Sequence, residues 1–225
     1  MPEYSVVIPV YNEEESVDAL IEELTRAMNG LKKPYELIFV NDCSSDTTRS
    51  KLEGYQRNAP QTVRIINLPQ RSGQTYAMRK GLDSVQGRVA FTLDADLQND
   101  PADIPRLIKK MDEGYDMVCG WRKDRGDRPL KTYLSKFGNF LQRRFTRMPI
   151  HDISCTLRAF RKECIPDIVL EWEGQHRFIP IGPFKKGYRI AEIVSHHRQR
   201  QFGYSKYSHK RIFRVMVDFF KMLNA

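Results

Sequence analysis

The chain has 225 residues, enough for one large domain, or a domain with an appendage, around a core of ordinary size. Its formal charge of +9 is uneven: 14 basic against 19 acidic residues over 1–120 (net −5), then 23 against 9 over 121–225 (net +14), so the second half suits an anionic partner such as phosphate, nucleic acid or a lipid surface. Four cysteines (Cys43, Cys119, Cys155, Cys164) form no C-x-x-C pair and follow no secretory signal, which points to free thiols in a reducing compartment, and no apolar run reaches the roughly 18 residues of a membrane span.

The first predicted element is a buried strand over Tyr4–Val10, ending in the polar turn Tyr11-Asn12-Glu13. Val17, Leu20, Ile21, Leu24 and Met28 then recur at helical spacing. Tyr35–Val40 reads as a second strand ending in Asn41-Asp42, and Ser44-Ser45-Asp46 as a helix start capped by Ser45 or Asp46. A strand at Val63–Asn67, a loop with Ser72-Gly73 and a helix through Ala77, Leu82 and Val85 follow. The next strand runs into Asp94. A helix from about Ala102 to Glu113 and a strand at Asp116–Cys119 complete the alternation. Repeated strand and helix predict an α/β fold, a mostly parallel sheet with helices on both faces, whose ligands sit outside the carboxyl ends of the strands. Pro9, Tyr11, Glu13, Asp42, Asp94 and Asp96 should therefore share one crevice.

After Gly120 the pattern breaks. A charged loop at Lys123–Arg128 leads to a basic helix over Leu130–Thr146. Ser154–Arg161 reads as a strand or a loop feeding one, and Arg189–Val194 as the last strand. Gln199–Tyr207 is a basic loop around Gly203. Lys210–Leu223 is an amphipathic helix, with Ile212, Val215, Phe219, Phe220 and Leu223 on one stripe and Lys210, Arg211, Arg214 and Lys221 beside it. That pattern suits an anionic membrane interface, or packing on the domain itself. The expected organisation is one domain over 1–208, with an acidic half (1–120) and a basic half (121–208), followed by a membrane-proximal helix over 209–225.

The most informative stretch is Arg88–Pro101. It begins as a buried strand and then delivers Asp94, Asp96 and Gln98 at alternate positions, which point the same way along an extended chain. Two carboxylates and an amide oxygen suit a hard divalent cation, Mg²⁺ or Mn²⁺, that fills its remaining positions with phosphate and water. A solvated acidic turn capping the next helix is the plainer alternative, and Pro101 suits that helix's first position. His196 and His197 are read as structural, because neighbours along a strand face opposite ways.

These residues carry a family resemblance. Val6-Val7-Ile8-Pro9-Val10-Tyr11-Asn12-Glu13, Val40-Asn41-Asp42 with Ser44-Ser45-Asp46, and Asp94-Ala95-Asp96-Leu97-Gln98 resemble the inverting family 2 glycosyltransferases of GT-A fold. Gly120-Trp121-Arg122, His151-Asp152-Ile153-Ser154-Cys155 and Arg200-x-x-Gly203-x-Ser205-Lys206-Tyr207 narrow this to the polyprenyl-phosphate sugar transferases of the dolichyl-phosphate mannose synthase type. The resemblance implies that Pro9, Tyr11, Glu13 and Asp42 hold the nucleotide, with Tyr11 stacking on the base and Asp42 accepting from a ring N–H. It implies that Asp94 contacts the ribose or the metal, that Asp96 and Gln98 ligate the metal, and that Arg200 and Lys206 clamp the donor diphosphate. GDP-mannose, UDP-glucose and UDP-N-acetylhexosamines are the candidate donors, and the sequence does not decide among them.

A polyprenyl phosphate is already an oxyanion at neutral pH, since phosphate monoesters have a second pKa near about 6. The acceptor then needs basic residues to hold it rather than a general base. Arg122 is the first candidate, with Lys131 and Ser135 as a second pair one helical turn apart. Asp152 is assigned a structural or acceptor-orienting role. Asp96, Arg122 and Asp152 are the residues expected to carry the chemistry. Expected localisation is peripheral, on the cytoplasmic face of a membrane, with an anchoring subunit or a further transmembrane segment left open. A family 2 transferase acting on a saccharide hydroxyl is the alternative. Nucleic-acid binding, prompted by the basic half with Phe202, Tyr204 and Tyr207, leaves the acidic half without a role and is not expected.

Overall fold

The computed structural model describes residues 1–123 and 146–199. Over these the chain alternates β1 (Tyr4–Val10), α1 (Val17–Gly30), β2 (Tyr35–Asn41), α2 (Thr48–Asn58), β3 (Val63–Asn67), α3 (Gln74–Leu82), β4 (Val89–Thr92), α4 (Ile104–Met111) and β5 (Met117–Trp121). A second group of described elements contains β6 (Arg158–Arg161), α5 (Ile181–Lys185) and β7 (Ile190–Val194), with 3₁₀ turns at Lys162–Asp167 and Gln175–Phe178.

One sheet holds all seven strands in the order β3-β2-β1-β4-β6-β5-β7. β1 lies parallel to β2 and β4, β2 to β3, and β5 to β7, while β6 runs antiparallel to both its neighbours. Six strands thus share one direction, and the mostly parallel α/β sheet expected from the alternation is present. The sheet is covered on both faces because strand neighbours point opposite ways. Val6, Ile8 and Phe39 pack in one core with Val17, Leu20, Leu24 and Met28 of α1. Val7, Ile38 and Val40 face the other way, against Ala77, Met78 and Leu82 of α3. Each fully buried aliphatic side chain contributes about 1.5–3 kcal/mol.

Several boundaries shift for local reasons. α2 begins at Thr48, later than its predicted start, because Asp46 uses its carboxylate in a tight turn, accepting from the Thr48 amide at 3.0 Å. β4 ends at Thr92, short of Asp94. The predicted helix over 102–113 is a 3₁₀ turn at Pro101–Asp103 running into α4, with the Asp100 carboxylate capping the Ala102 amide at 2.9 Å. The predicted helices over 130–146 and 210–223 lie outside the described residues, apart from Thr146 at the end of the first.

The crevice follows from the register. β1 and β4 pair only as far as Val7 and Thr92, so the two chains part before Pro9. The turns after β1, β2, β4 and β5 all leave the same end of the sheet, and they carry Tyr11, Asp42, Asp94 and Arg122.

Candidate active site

The turns after β1 and β2 are locked together. Asn12, with φ of 52°, accepts from the Ser45 amide at 2.8 Å and donates its own amide to Ser44 Oγ at 3.0 Å. The Glu13 amide donates to Thr48 Oγ1 at 2.8 Å, and the Glu13 carboxylate accepts from Ser16 Oγ at 2.8 Å, where α1 starts. Asp42 is 4 % exposed, and its two oxygens accept the amides of Ser72 and Gly73 at 2.6 and 2.9 Å. Its predicted reach to a nucleobase therefore depends on the lone pairs these amides leave. Tyr11 is half-buried, and the guanidinium of Arg71 lies over its ring at 4.0 Å. One face of the ring predicted for base stacking is thus taken by Arg71.

The turn after β4 is kinked rather than extended, since Leu97 has φ of 58°. The alternation nonetheless holds: Asp94, Asp96 and Gln98 are partly exposed while Ala95, Leu97 and Asn99 are buried. Gln74 Nε2 and Thr156 Oγ1 donate to the two oxygens of Asp94 at 2.7 and 2.9 Å, which fixes its plane. Asp96 Oδ1 accepts the Gln98 amide at 3.2 Å. Among the described residues no group of three His, Cys, Asp or Glu gathers as a metal cage. The donor set here is two carboxylates and an amide, all oxygen and part-open. That fits Mg²⁺ or Mn²⁺, which are held by one or two carboxylates with substrate phosphate and water. The turn is also pinned from outside: Gln98 and Asn99 meet Arg198 and His197, and His196 is bound to buried Asp103 through both its amide and Nδ1. His196 is thus engaged in a structural contact, as expected.

Across the crevice, Arg122 and Asp152 form a bidentate pair: Nε to Oδ2 at 2.8 Å and Nη2 to Oδ1 at 3.0 Å. Ser154 Oγ sits 3.0 Å from both Nη2 and Oδ1. Asp152 is buried, and the Arg122 side chain is 16 % exposed. Burial works against the charged guanidinium, but the Asp152 carboxylate beside it prevails and holds Arg122 above its ordinary range. Nη1 of Arg122 has no hydrogen-bond partner among the described residues, leaving two N–H groups for an anion. Beside this pair a second contact joins the same two segments: Trp121 stacks on His151, centroids 4.3 Å apart and planes 14° apart.

Sequence reasoning missed four residues that the fold brings to the site or its supports. Arg71 carried no signal beyond its place in a loop. Thr156 and Gln74 reach Asp94 only because β6 inserts beside β4 and because α3 starts under the crevice. Arg158, fully buried, donates to the carbonyls of Ile153, His176 and Arg177 at 3.0–3.2 Å, tying the turn that bears Asp152 to the 3₁₀ turn at Gln175–Phe178. Lys131, Ser135, Arg200 and Lys206 lie outside the described residues.

Turns from parallel strands, an amide-held acid after β2 and an acidic turn after β4 are arranged as in an α/β fold of the GT-A kind. The model of the glycosyl transferase family 2 matches residues 5–169, and the chain belongs to that family. It is 38% identical over 225 residues to the dodecaprenyl-phosphate galacturonate synthase of Rhizobium johnstonii, covering 98% of this chain and 66% of that one. It is 41% identical over 214 residues to the undecaprenyl-phosphate 4-deoxy-4-formamido-L-arabinose transferase of Salmonella choleraesuis, covering 95% of this chain and 65% of that one. The chain thus spans just under two thirds of these relatives' length. Among solved structures, glucosyl-3-phosphoglycerate synthase from Mycobacterium tuberculosis, in complex with Mn²⁺, UDP and phosphoglyceric acid, superposes with a TM-score of 0.75 at 19% identity, over 99% of this chain and 77% of that one. At that identity the likeness speaks for the fold.

Proposed function

We propose that this protein transfers a sugar from a nucleotide sugar to a polyprenyl phosphate with inversion at the anomeric carbon. The observation that carries the reading is the state of Asp152. The carboxylate that would serve as general base for a hydroxyl acceptor has each oxygen bound by Arg122. An acceptor that is already an oxyanion needs no base, and the names of the two curated relatives support a polyprenyl phosphate in that place.

In this reading Tyr11, Asp42 and Arg71 hold the base, with Pro9 and Glu13 shaping the turn beneath it. Asp94, Asp96 and Gln98 would hold Mg²⁺ or Mn²⁺, which supplies Lewis-acid neutralisation of the departing diphosphate. Arg200 and Lys206 clamp the diphosphate, and Lys131 and Ser135 assist Arg122 on the acceptor side. Arg122 presents its remaining N–H groups to the acceptor phosphate. One phosphate oxygen attacks the anomeric carbon as the bond from that carbon to the diphosphate oxygen breaks. The electron pair leaves with the nucleoside diphosphate, and no proton moves. No helix among the described residues is long and apolar enough to cross a membrane. The segment 209–225 docks the enzyme on the cytoplasmic face of an anionic membrane.

The test is a transfer assay with a panel of labelled UDP- and GDP-sugars, undecaprenyl phosphate and Mn²⁺. Label in the lipid extract, dependent on both acceptor and enzyme, is the expected result. Label moving to a saccharide hydroxyl instead, with none in the lipid, overturns the reading.

A further inference from the structure

The region between β5 and β6 is closed by two parallel contacts. Trp121 and Arg122 are consecutive at the end of β5, and His151 and Asp152 are consecutive in the facing turn. Trp121 stacks on His151, and Arg122 pairs with Asp152. The first contact is itself tethered. Glu192 of β7 accepts the His151 amide through Oε2 at 2.6 Å and meets His151 Nδ1 through Oε1. Its side chain is only 10% exposed, so this tether has little freedom to move. Lys123 Nζ also lies over the Trp121 ring, 5.6 Å from a ring centroid. The indole therefore meets both an imidazole and an ammonium, and one face and one nitrogen of the imidazole are in use. A surface so occupied is not an open platform for a sugar or a lipid chain.

Its geometry has another use. The Arg122 guanidinium is held by Asp152 and Ser154, both on the facing turn, so its place relative to β5 follows that turn, whose far side Arg158 ties down through the Ile153 carbonyl. A slide of the 151–154 turn along β5 would carry Asp152 with it. A planar stack resists such a slide because offset changes its overlap, and a carboxylate fastened to both a backbone amide and a ring nitrogen blocks rotation of the turn.

We propose that His151, fixed by Glu192 and stacked on Trp121, is the positioning residue that sets Arg122 for the acceptor phosphate. This rests on the reading of Arg122 as the acceptor-side cation. The positioning itself is measurable without any substrate.

The experiment uses the full chain as His151→Ala, His151→Phe and Glu192→Gln. Proton–nitrogen NMR of the arginine Nε–H groups, with Arg122 assigned from its loss in Arg122→Lys, reads the Arg122–Asp152 pair directly. Exchange of the Arg122 Nε–H should speed at least tenfold in His151→Ala and Glu192→Gln while backbone amides in β1 and β4 keep their protection. His151→Phe restores a ring against Trp121 and should recover most of the loss. In the transfer assay with a short-chain polyprenyl phosphate, His151→Ala should raise the acceptor KM about tenfold and leave kcat and the donor KM within about twofold. An unchanged Arg122 Nε–H in a folded His151→Ala protein overturns the proposal. So does a loss of protection spread evenly over the whole sheet, which marks a purely structural role. If the parent protein transfers no sugar to the lipid phosphate, the proposed function fails and the NMR measurement still decides this one.

Discussion

Arg122 Nε lies 2.8 Å from Asp152 Oδ2, and the same carboxylate's Oδ1 lies 3.0 Å from Arg122 Nη2, so the two ions meet fork to fork in a buried setting. This arrangement separates two roles for Asp152. A general base contributes about 10²–10⁴-fold to rate, whereas an orienting anion acts through its partner. Asp152→Asn should keep kcat within about tenfold and raise the acceptor KM. A drop in kcat of three orders of magnitude, with KM unchanged, would mark a base. Asp152→Ala leaves Arg122 without its counter-ion and should destabilise the fold by about 3–5 kcal/mol, read by urea unfolding.

Metal dependence is expected to centre on Asp96. The residue is part-exposed in a turn and contributes little to the core, so Asp96→Ala should stay folded with an unchanged melting temperature. Its transfer rate should fall by orders of magnitude, and EDTA should abolish parent activity until Mg²⁺ or Mn²⁺ is restored. Full turnover in EDTA refutes this.

The pocket after β2 depends on Gly73. Its φ is 93°, its amide holds Asp42, and a Cβ there would stand 2.5 Å from Glu173 Oε2. Gly73→Ala should therefore cost on the order of 1 kcal/mol or more in stability. It should also weaken nucleoside diphosphate binding, measured by calorimetry. Ser72→Ala, which changes neither amide nor φ, is the control and should bind normally.

Arg71 offers a further check. It rests on the face of Tyr11 and makes no hydrogen bond or ion pair with the described residues. Cation–π contacts at exposed sites are worth about 0.5–1 kcal/mol, so the guanidinium is easily displaced. Arg71→Ala should leave the melting temperature of the apo protein unchanged and weaken UDP or GDP binding severalfold. Equal affinities in the two proteins would exclude Arg71 from the site.

The thiols make an inexpensive test of the packing. Cys119, Cys155 and Cys164 are buried and Cys43 is exposed. Burial pushes the Cys119 thiol up to about 12. Ellman's reagent at pH 8 should label Cys43 rapidly and the others only in denaturant. The unfolded thiol ionises near about 8.5. The folded one keeps its proton, so this group's contribution to stability is present below that pH and is lost as pH climbs toward about 12.

Much of the fold was legible because one physical signal repeats. The helical stripe Val17, Leu20, Ile21, Leu24 and Met28 is the set that α1 buries. The strand ends at Val10 and Asn41 could be read because apolar runs stop at polar turns. The insertion of β6 between β4 and β5 was not legible, since four residues of Arg-Ala-Phe-Arg carry no sign of which neighbours they will pair with. The stretch 162–188 had no clear period, and it is built of short 3₁₀ turns and the five-residue α5. At the site, residue types announced the chemistry, but partnerships between distant segments did not announce themselves. Arg122 and Asp152 were both chosen from the motifs, while their mutual pairing is a property of the folded chain. Gln74 and Thr156 were invisible because each acts only through Asp94.

The paired contacts Trp121–His151 and Arg122–Asp152 also bring the two ends of the intervening stretch side by side. The described chain leaves the sheet at Lys123 and resumes at Thr146, and Met148 and Ile150 already pack in the core that α3 shares with the sheet. Closing a flexible loop costs only about 0.6 kcal/mol more for each doubling of its length, a small sum against a junction fastened by a stack and a buried ion pair. The junction therefore sets a tolerance: changing the length of the stretch between Lys123 and Thr146 should cost little stability, provided that Met148, Ile150 and the two contacts are kept.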